Sequence, residues 1–170
     1  MPTHAKVERW VVLGNRAVIV AMMAAMVALV FANVVARYGF NYSVIWAEEL
    51  SQYLMVWITY LGAGLALREG RHVSVDILQN AVPSPLRAAL RWLITLAVGA
   101  FMAAVAWLGF EFAAFTWMQE TPVMQIPLGL VYLAVPLGAV LFLLHLLLFL
   151  RPFAAGNFDE PEPLEAEERA

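Results

Sequence analysis

Two adjacent carboxylates head the segment WAEELSQYLMVWITYLGAGLALR, residues 46–68, whose remaining chemistry is phenol, indole and, at the far end, guanidinium. At ~100° per residue in a helix, Trp46, Glu49, Tyr53, Trp57, Tyr60 and Gly64 fall within an arc of ~80°. Glu48 points elsewhere, toward Gln52, Thr59 and Ala63, so the two acids do not act through one face. A carboxylate at the head of an aromatic strip can pair with a cation, accept from a phenol, or complement the helix N-terminus, the last for ~0.3–1 kcal/mol. Interfacial anchoring accounts for Trp46. It does not account for the aromatics at mid-helix, because Tyr hydroxyl and indole N–H groups in apolar surroundings need partners. The strip therefore predicts a helix packed against protein, with Trp57 and Tyr60 buried on a partner subunit or on the preceding helix.

A second polar series follows in REGRHVSVDILQNAVPSPLRAALRW. If the helix continues, Arg68, His72 and Asp76 stand at i, i+4 and i+8, while Val73, Ile77 and Ala81 form a modest apolar stripe. This predicts a short interfacial helix, ended at VPSPLR, where Ser84 suits an N-cap and Pro85 a first helical residue. Arg68, Arg71, His72, Asp76 and Arg91 then make a polar ladder at the membrane edge. Anionic headgroups, at ~1 kcal/mol per basic residue, are its simplest partners, with contact to a protein subunit the competing reading. His145 stands alone, without the second histidine that a haem between facing helices would want. The sequence carries no nucleotide loop, metal triad or nucleophile motif, so neither enzymatic activity, cofactor, metal nor nucleic acid is expected. With no cysteine, disulfides and thiolate metal sites are excluded.

The elements that must position these residues are set by the solvent. Of the 170 residues 63% are hydrophobic and 14% charged, against roughly 45–50% and about 25% in soluble domains. The reading is an all-α integral membrane protein. Uncharged runs cover 17–36, 50–67, 92–110 and 125–150, and a bilayer core of ~30 Å takes ~20 helical residues. Four transmembrane helices are expected, at about 17–37, 47–68, 90–112 and 126–150, in a membrane domain spanning 17–151. A basic N-terminus, 1–16, precedes it, and a Pro-rich acidic tail, 152–170, with the composition of a disordered end follows. The first run is longer than the ~7–15 residues of a signal-peptide core and has no clear cleavage site, so it reads as an anchor. Lys6, Arg9 and Arg16 precede the first helix, Arg68, Arg71, Arg87 and Arg91 separate the second and third, and Arg151 and Arg169 follow the fourth; only Arg37 lies on the other side. The positive-inside rule then puts both termini in the cytoplasm. In the first helix, Ala24, Ala28, Ala32 and Ala36 at successive i+4 steps offer a small-residue surface for the second. Pro136 predicts a kink in the fourth. Arg37, at the outer end of the first helix, is expected to pair with Glu48 or Glu49, leaving the other acid for a partner.

At this point the residues resemble a family. NVVARYGFNYSVIWAEELSQYLMVWITYLGAGLALREGRHVSVDIL is similar to the signature region of the small membrane subunit, the Q subunit, of tripartite ATP-independent periplasmic (TRAP) transporters. The likeness rests on Asn33, Arg37 and Tyr38; Trp46, Glu48 and Glu49; Trp57, Gly62 and Ala63; and Arg68, His72, Val75 and Asp76. A second stretch, TPVMQIPLGLVYLAVPLG, matches through Thr121, Pro122, Ile126, Pro127, Tyr132 and Pro136. The resemblance covers about residues 10–150 and leaves the acidic tail outside. It implies an accessory permease subunit in the bacterial or archaeal inner membrane, binding a large membrane subunit, the M subunit, and enlarging its fixed scaffold. A periplasmic binding protein would deliver an organic anion, usually a carboxylate, with sodium commonly driving uptake. On this reading Arg37, Trp46, Glu48, Glu49, Tyr53, Trp57 and Tyr60 serve structure or the partner interface. The alternative from another class is an autonomous homo-oligomeric carrier or channel.

Overall fold

The computed structural model of the protein describes residues 2–68 and 84–148. Among these residues the elements are helices: α1 (Pro2–Gly39), α2 (Ile45–Arg68), α3 (Ser84–Phe115), α4 (Leu128–Tyr132) and α5 (Ala134–Leu148). Four stretches among the described residues are long and apolar enough to cross a membrane, Arg9–Gly39, Ile45–Leu67, Trp92–Phe115 and Leu128–Leu148. The last is built from α4 and α5 together. The interfacial helix expected between the second and third spans, and the tail 152–170, lie outside the described residues.

The helices stand side by side in the order α1, α2, α5, α3. Glycines set the closest approaches. A Cβ on Gly138 of α5 would lie 2.6 Å from Tyr60 Cβ and 2.7 Å from Tyr60 O on α2, and one on Gly64 of α2 would lie 2.6 Å from His145 Cδ2 on α5. Each helix thus presents a bare backbone where the other presents bulk, the arrangement by which small residues let membrane helices meet without a solvent-driven force. On the other flank of α5, Gly109 of α3 faces Pro136. Leu67, Phe142 and Leu146, with Ala63, Val98 and Met102 against them, fill the junction of α2, α5 and α3.

The small-residue surface expected on α1 is not the one that meets α2. Of the four alanines, Ala24, Ala28 and Ala32 are exposed and Ala36 is partly covered, whereas from Asn15 onward a series of covered positions, Asn15, Ile19, Met22, Met26, Leu29, Asn33 and Ala36, repeats at steps of three and four. The reason is polar: Asn15 and Asn33 make the hydrogen bonds described below, and a helix rotated to bury the alanines would expose both amides to lipid.

Connections follow from local chemistry. The chain leaves α1 through Asn41, whose φ of 52° is tolerated by asparagine better than by most residues. α3 ends where the Thr116 hydroxyl donates to the Phe112 carbonyl at 2.9 Å. A closed loop follows, with Thr121 N–H donating to Ile126 O at 2.9 Å and Leu128 N–H to Gln119 O at 2.7 Å. The fourth span is interrupted at Leu133, between α4 and α5. Pro136 has no N–H to return to Tyr132, and its ring crowds that carbonyl, which places the interruption one turn before the proline.

Candidate functional site

The site residues gather into networks at the two ends of the helix row. At the end formed by the α1–α2 turn, Asn33 is buried. Its carboxamide oxygen accepts from Val44 N–H at 2.8 Å, just before the start of α2. Its nitrogen donates to Glu48 Oε1 at 3.3 Å. Arg37 forms an ion pair with the same Glu48 oxygen, and both side chains are about half exposed. Arg37 also donates to Ser43 Oγ at 3.1 Å. Of the two acids left open by the sequence, Arg37 takes Glu48.

Glu49 turns the other way and is buried. Oε1 accepts from the Tyr53 hydroxyl one turn along α2. Oε2 accepts two backbone N–H groups of the α3–α4 loop, from Val123 at 2.9 Å and Met124 at 3.0 Å. A buried carboxylate is costly unless hydrogen-bonded, and here both oxygens are used. Glu49 fastens α2 to a loop more than seventy residues away. Thr121, also buried, closes that loop from inside by accepting from Ile126 N–H at 3.3 Å. Each acid thus has a partner inside the chain, with Glu49 buried and Glu48 half exposed.

Along the aromatic strip, Trp46 is exposed, Tyr53 and Trp57 are half-buried, and Tyr60 is about one-third exposed, with its Cβ and carbonyl against Gly138. At Tyr60 and Gly64 the strip meets α5. The expectation named a partner subunit or the preceding helix; at these two positions the neighbour within the chain is α5, because Gly64 and Gly138 permit a close approach.

At the opposite end, Asn15 is buried near the start of the apolar part of α1. It donates to the Leu61 carbonyl at 3.0 Å and lies 3.3 Å from His145 Nε2. His145 is fully buried, so this histidine is not alone: α1, α2 and α5 converge on it. No sequence pattern announces this pairing, since Asn15 and His145 are 130 positions apart. Arg68 closes α2 and Arg91 lies in α3; Arg71, His72 and Asp76 lie outside the described residues. Among the described residues no three acidic, histidine or cysteine side chains converge as a metal site would require.

Comparison with known proteins places these networks in context. Residues 26–154 match the family described as tripartite ATP-independent periplasmic transporters, DctQ component. A Haemophilus influenzae protein named as a TRAP transporter small permease is 35% identical over 125 residues, covering 72% of this chain and 76% of the relative. The C4-dicarboxylate TRAP transporter small permease protein DctQ of Rhodobacter capsulatus is 36% identical over 104 residues, 58% of this chain, and the match spans only 44% of that relative. The ectoine TRAP transporter small permease protein TeaB of Halomonas elongata is 28% identical over 109 residues, 63% of this chain and 56% of the relative.

Proposed function

The chain belongs to the DctQ family, the small permease component of TRAP transporters and not an enzyme, and on that premise we propose that it is the static helper of a larger permease. In this reading it binds the large membrane subunit and widens the scaffold against which that subunit moves substrate. A periplasmic protein supplies an organic carboxylate anion, and sodium drives uptake. The named substrates of the relatives differ, C4-dicarboxylate in one and ectoine in another, so substrate choice falls to the other components.

One observation carries the proposal. The two helices at the ends of the row, α1 and α3, are packed on one side only and leave large apolar side chains such as Val27, Phe31, Leu93 and Leu96 uncovered. The buried Glu49, meanwhile, is bonded within the chain. Surfaces are available for assembly, and among the described residues no charged side chain stands near mid-span to build a substrate site of the kind carriers use. The distribution of basic residues supports both termini in the cytoplasm, an inner-membrane location and anionic lipid at the Arg68–Arg91 edge. Arg37, Glu48, Glu49, Tyr53, Trp57 and Tyr60 then act by shaping the subunit, with exposed Trp46 at its margin.

The test is purification of the tagged full chain from its own membranes in mild detergent, with identification of what accompanies it. A single large multispanning protein in near-equal amount is expected. Recovery of the chain solely as multiples of itself, with saturable uptake when it alone is placed in liposomes, would overturn the scaffold in favour of an autonomous carrier.

A further inference from the structure

α3 and the α4–α5 span do not close on each other along their whole length. In one half of the row the core around Leu67, Phe142 and Leu146, with Val98 and Met102, fills the seam. From Val105 onward, past Gly109, which lines the opening and touches Pro136, the seam widens into a surface groove of about 610 Å³. Its walls are Val105, Leu108, Phe112 and Phe115 on one side and Tyr132 and Val135 on the other, with Phe112 and Tyr132 in edge-to-face contact at 4.7 Å. The volume lies within the ~300–1,000 Å³ of small-molecule sites.

Three features identify what fits. From Val105 to Phe115 the groove follows ten steps of α3, ~15 Å at ~1.5 Å each, which is half of a ~30 Å hydrocarbon core. The groove is one leaflet long. It stops where α3 stops, at the end of the row that carries Glu48 and Glu49. The one charged group on its lining is Glu111, an exposed carboxylate one turn from the end of the helix, which makes no hydrogen bond or ion pair among the described residues. A carboxylate at this depth calls for a cation at headgroup level. A partner helix, ~10–12 Å wide and spanning both leaflets, would want a seam that continues past Met102, where this one is filled.

We propose that the groove seats one acyl chain of an amine-headed phospholipid, with the Glu111 carboxylate meeting the lipid ammonium. Phosphatidylethanolamine has that chemistry, and phosphatidylglycerol shares the chains but lacks the cation. The site belongs to the leaflet on the Glu48/Glu49 side, and the proposal stands whether or not the scaffold reading does.

The full chain, purified in mild detergent and offered equal phosphatidylethanolamine and phosphatidylglycerol, is examined by native mass spectrometry. One tightly held lipid is expected, with the amine-headed species preferred about fivefold, the upper range of a half-exposed charge pair. Glu111→Gln should abolish the preference while lipid is still held, and Val135→Phe, which fills the groove, should lower occupancy for both lipids. Equal retention of the two lipids by the unaltered chain overturns the proposal. So does a preference untouched by Glu111→Gln, or a Val135→Phe chain that keeps its lipid but no longer captures a large membrane protein; in that last case the groove belongs to a subunit.

Discussion

α1 and the α4–α5 span are both apolar enough to cross a membrane, with mean hydropathy of 2.6 and 2.4, yet they are used in opposite ways. In the most apolar window of the α1 span 6% of the positions are buried, and in that of the α4–α5 span 44% are. α5 touches α2 on one flank and α3 on the other, while α1 leans on α2. Lipid tails are as apolar as leucine, so hydropathy fixes which segments enter the membrane and says nothing of which ones lie at the centre. That choice is made by glycines at α5 and by amides at α1: Gly64 and Gly138 draw α2 and α5 together, and Asn15 and Asn33 hold α1 near its two membrane edges. The eighteen steps between those asparagines come to ~27 Å of helix, close to one bilayer core. The adjacent acids of α2 divide along the same line, Glu48 serving α1 and Glu49 the loop that leads into α4 and α5.

The sharpest way to break this comparison is to crowd the α5 side. In Gly138→Leu the new side chain must start 2.6–2.8 Å from Tyr60 Cβ, carbonyl carbon and oxygen, and backbone does not rotate away. A cost of about 3 kcal/mol or more is expected, at the top of the range for overpacking, seen as early thermal aggregation of the purified chain in detergent. The comparable change on α1, Ala28→Leu, faces outward and should leave the melting point where it was. Equal behaviour of the two variants would mean that the helices are not ordered as described.

The next effect belongs to Glu49. Glu49→Ala leaves the Val123 and Met124 N–H groups and the Tyr53 hydroxyl without their acceptor. Because unsatisfied buried donors cost more than a hydrogen bond returns, a fall in melting temperature on the order of 5–10 °C is expected. Hydrogen exchange should also quicken at residues 119–127 while α1 stays unchanged. Loss of protection spread evenly over all four spans would show that Glu49 does not act on this loop.

How far these arrangements could be read from the sequence depends on what kind of group makes each contact. Four spans follow from runs of uncharged residues, because the bilayer filters on that property alone. The opposite aims of Glu48 and Glu49 follow from helical geometry, since 100° separates neighbours. Glu49's actual partners do not, because backbone N–H groups at Val123 and Met124 have no residue-type signature; the nearest hint was a threonine just ahead of the two prolines in TPVMQIP. The alanine stripe misled for a physical reason: small residues permit close approach without compelling it, whereas a buried amide must find a partner. Asn15 was the signal that mattered at the opposite end, and a single amide at the start of an apolar run does not announce a histidine 130 positions later.

The smallest effect sharpens the comparison most, because it concerns the α1 side alone. Arg37 and Glu48 are 48% and 52% exposed as side chains, so their attraction is screened and should be worth about 0.3–1 kcal/mol. A double-mutant cycle with Arg37→Ala and Glu48→Ala isolates that coupling, although each single change also disturbs a neighbour, Ser43 in one case and Asn33 in the other. The charge-reversed chain, Arg37→Glu with Glu48→Arg, should recover part of the stability that either reversal loses. The cycle gains its meaning when run twice, on the chain alone and on the chain bound to its large subunit. If that subunit covers the α1–α2 corner, water leaves the pair and removing one partner becomes several times more costly, toward the ~3–5 kcal/mol of a buried pair. An unchanged coupling would leave this corner facing solvent and headgroups, and would assign the assembly surface to the apolar flanks of α1 and α3.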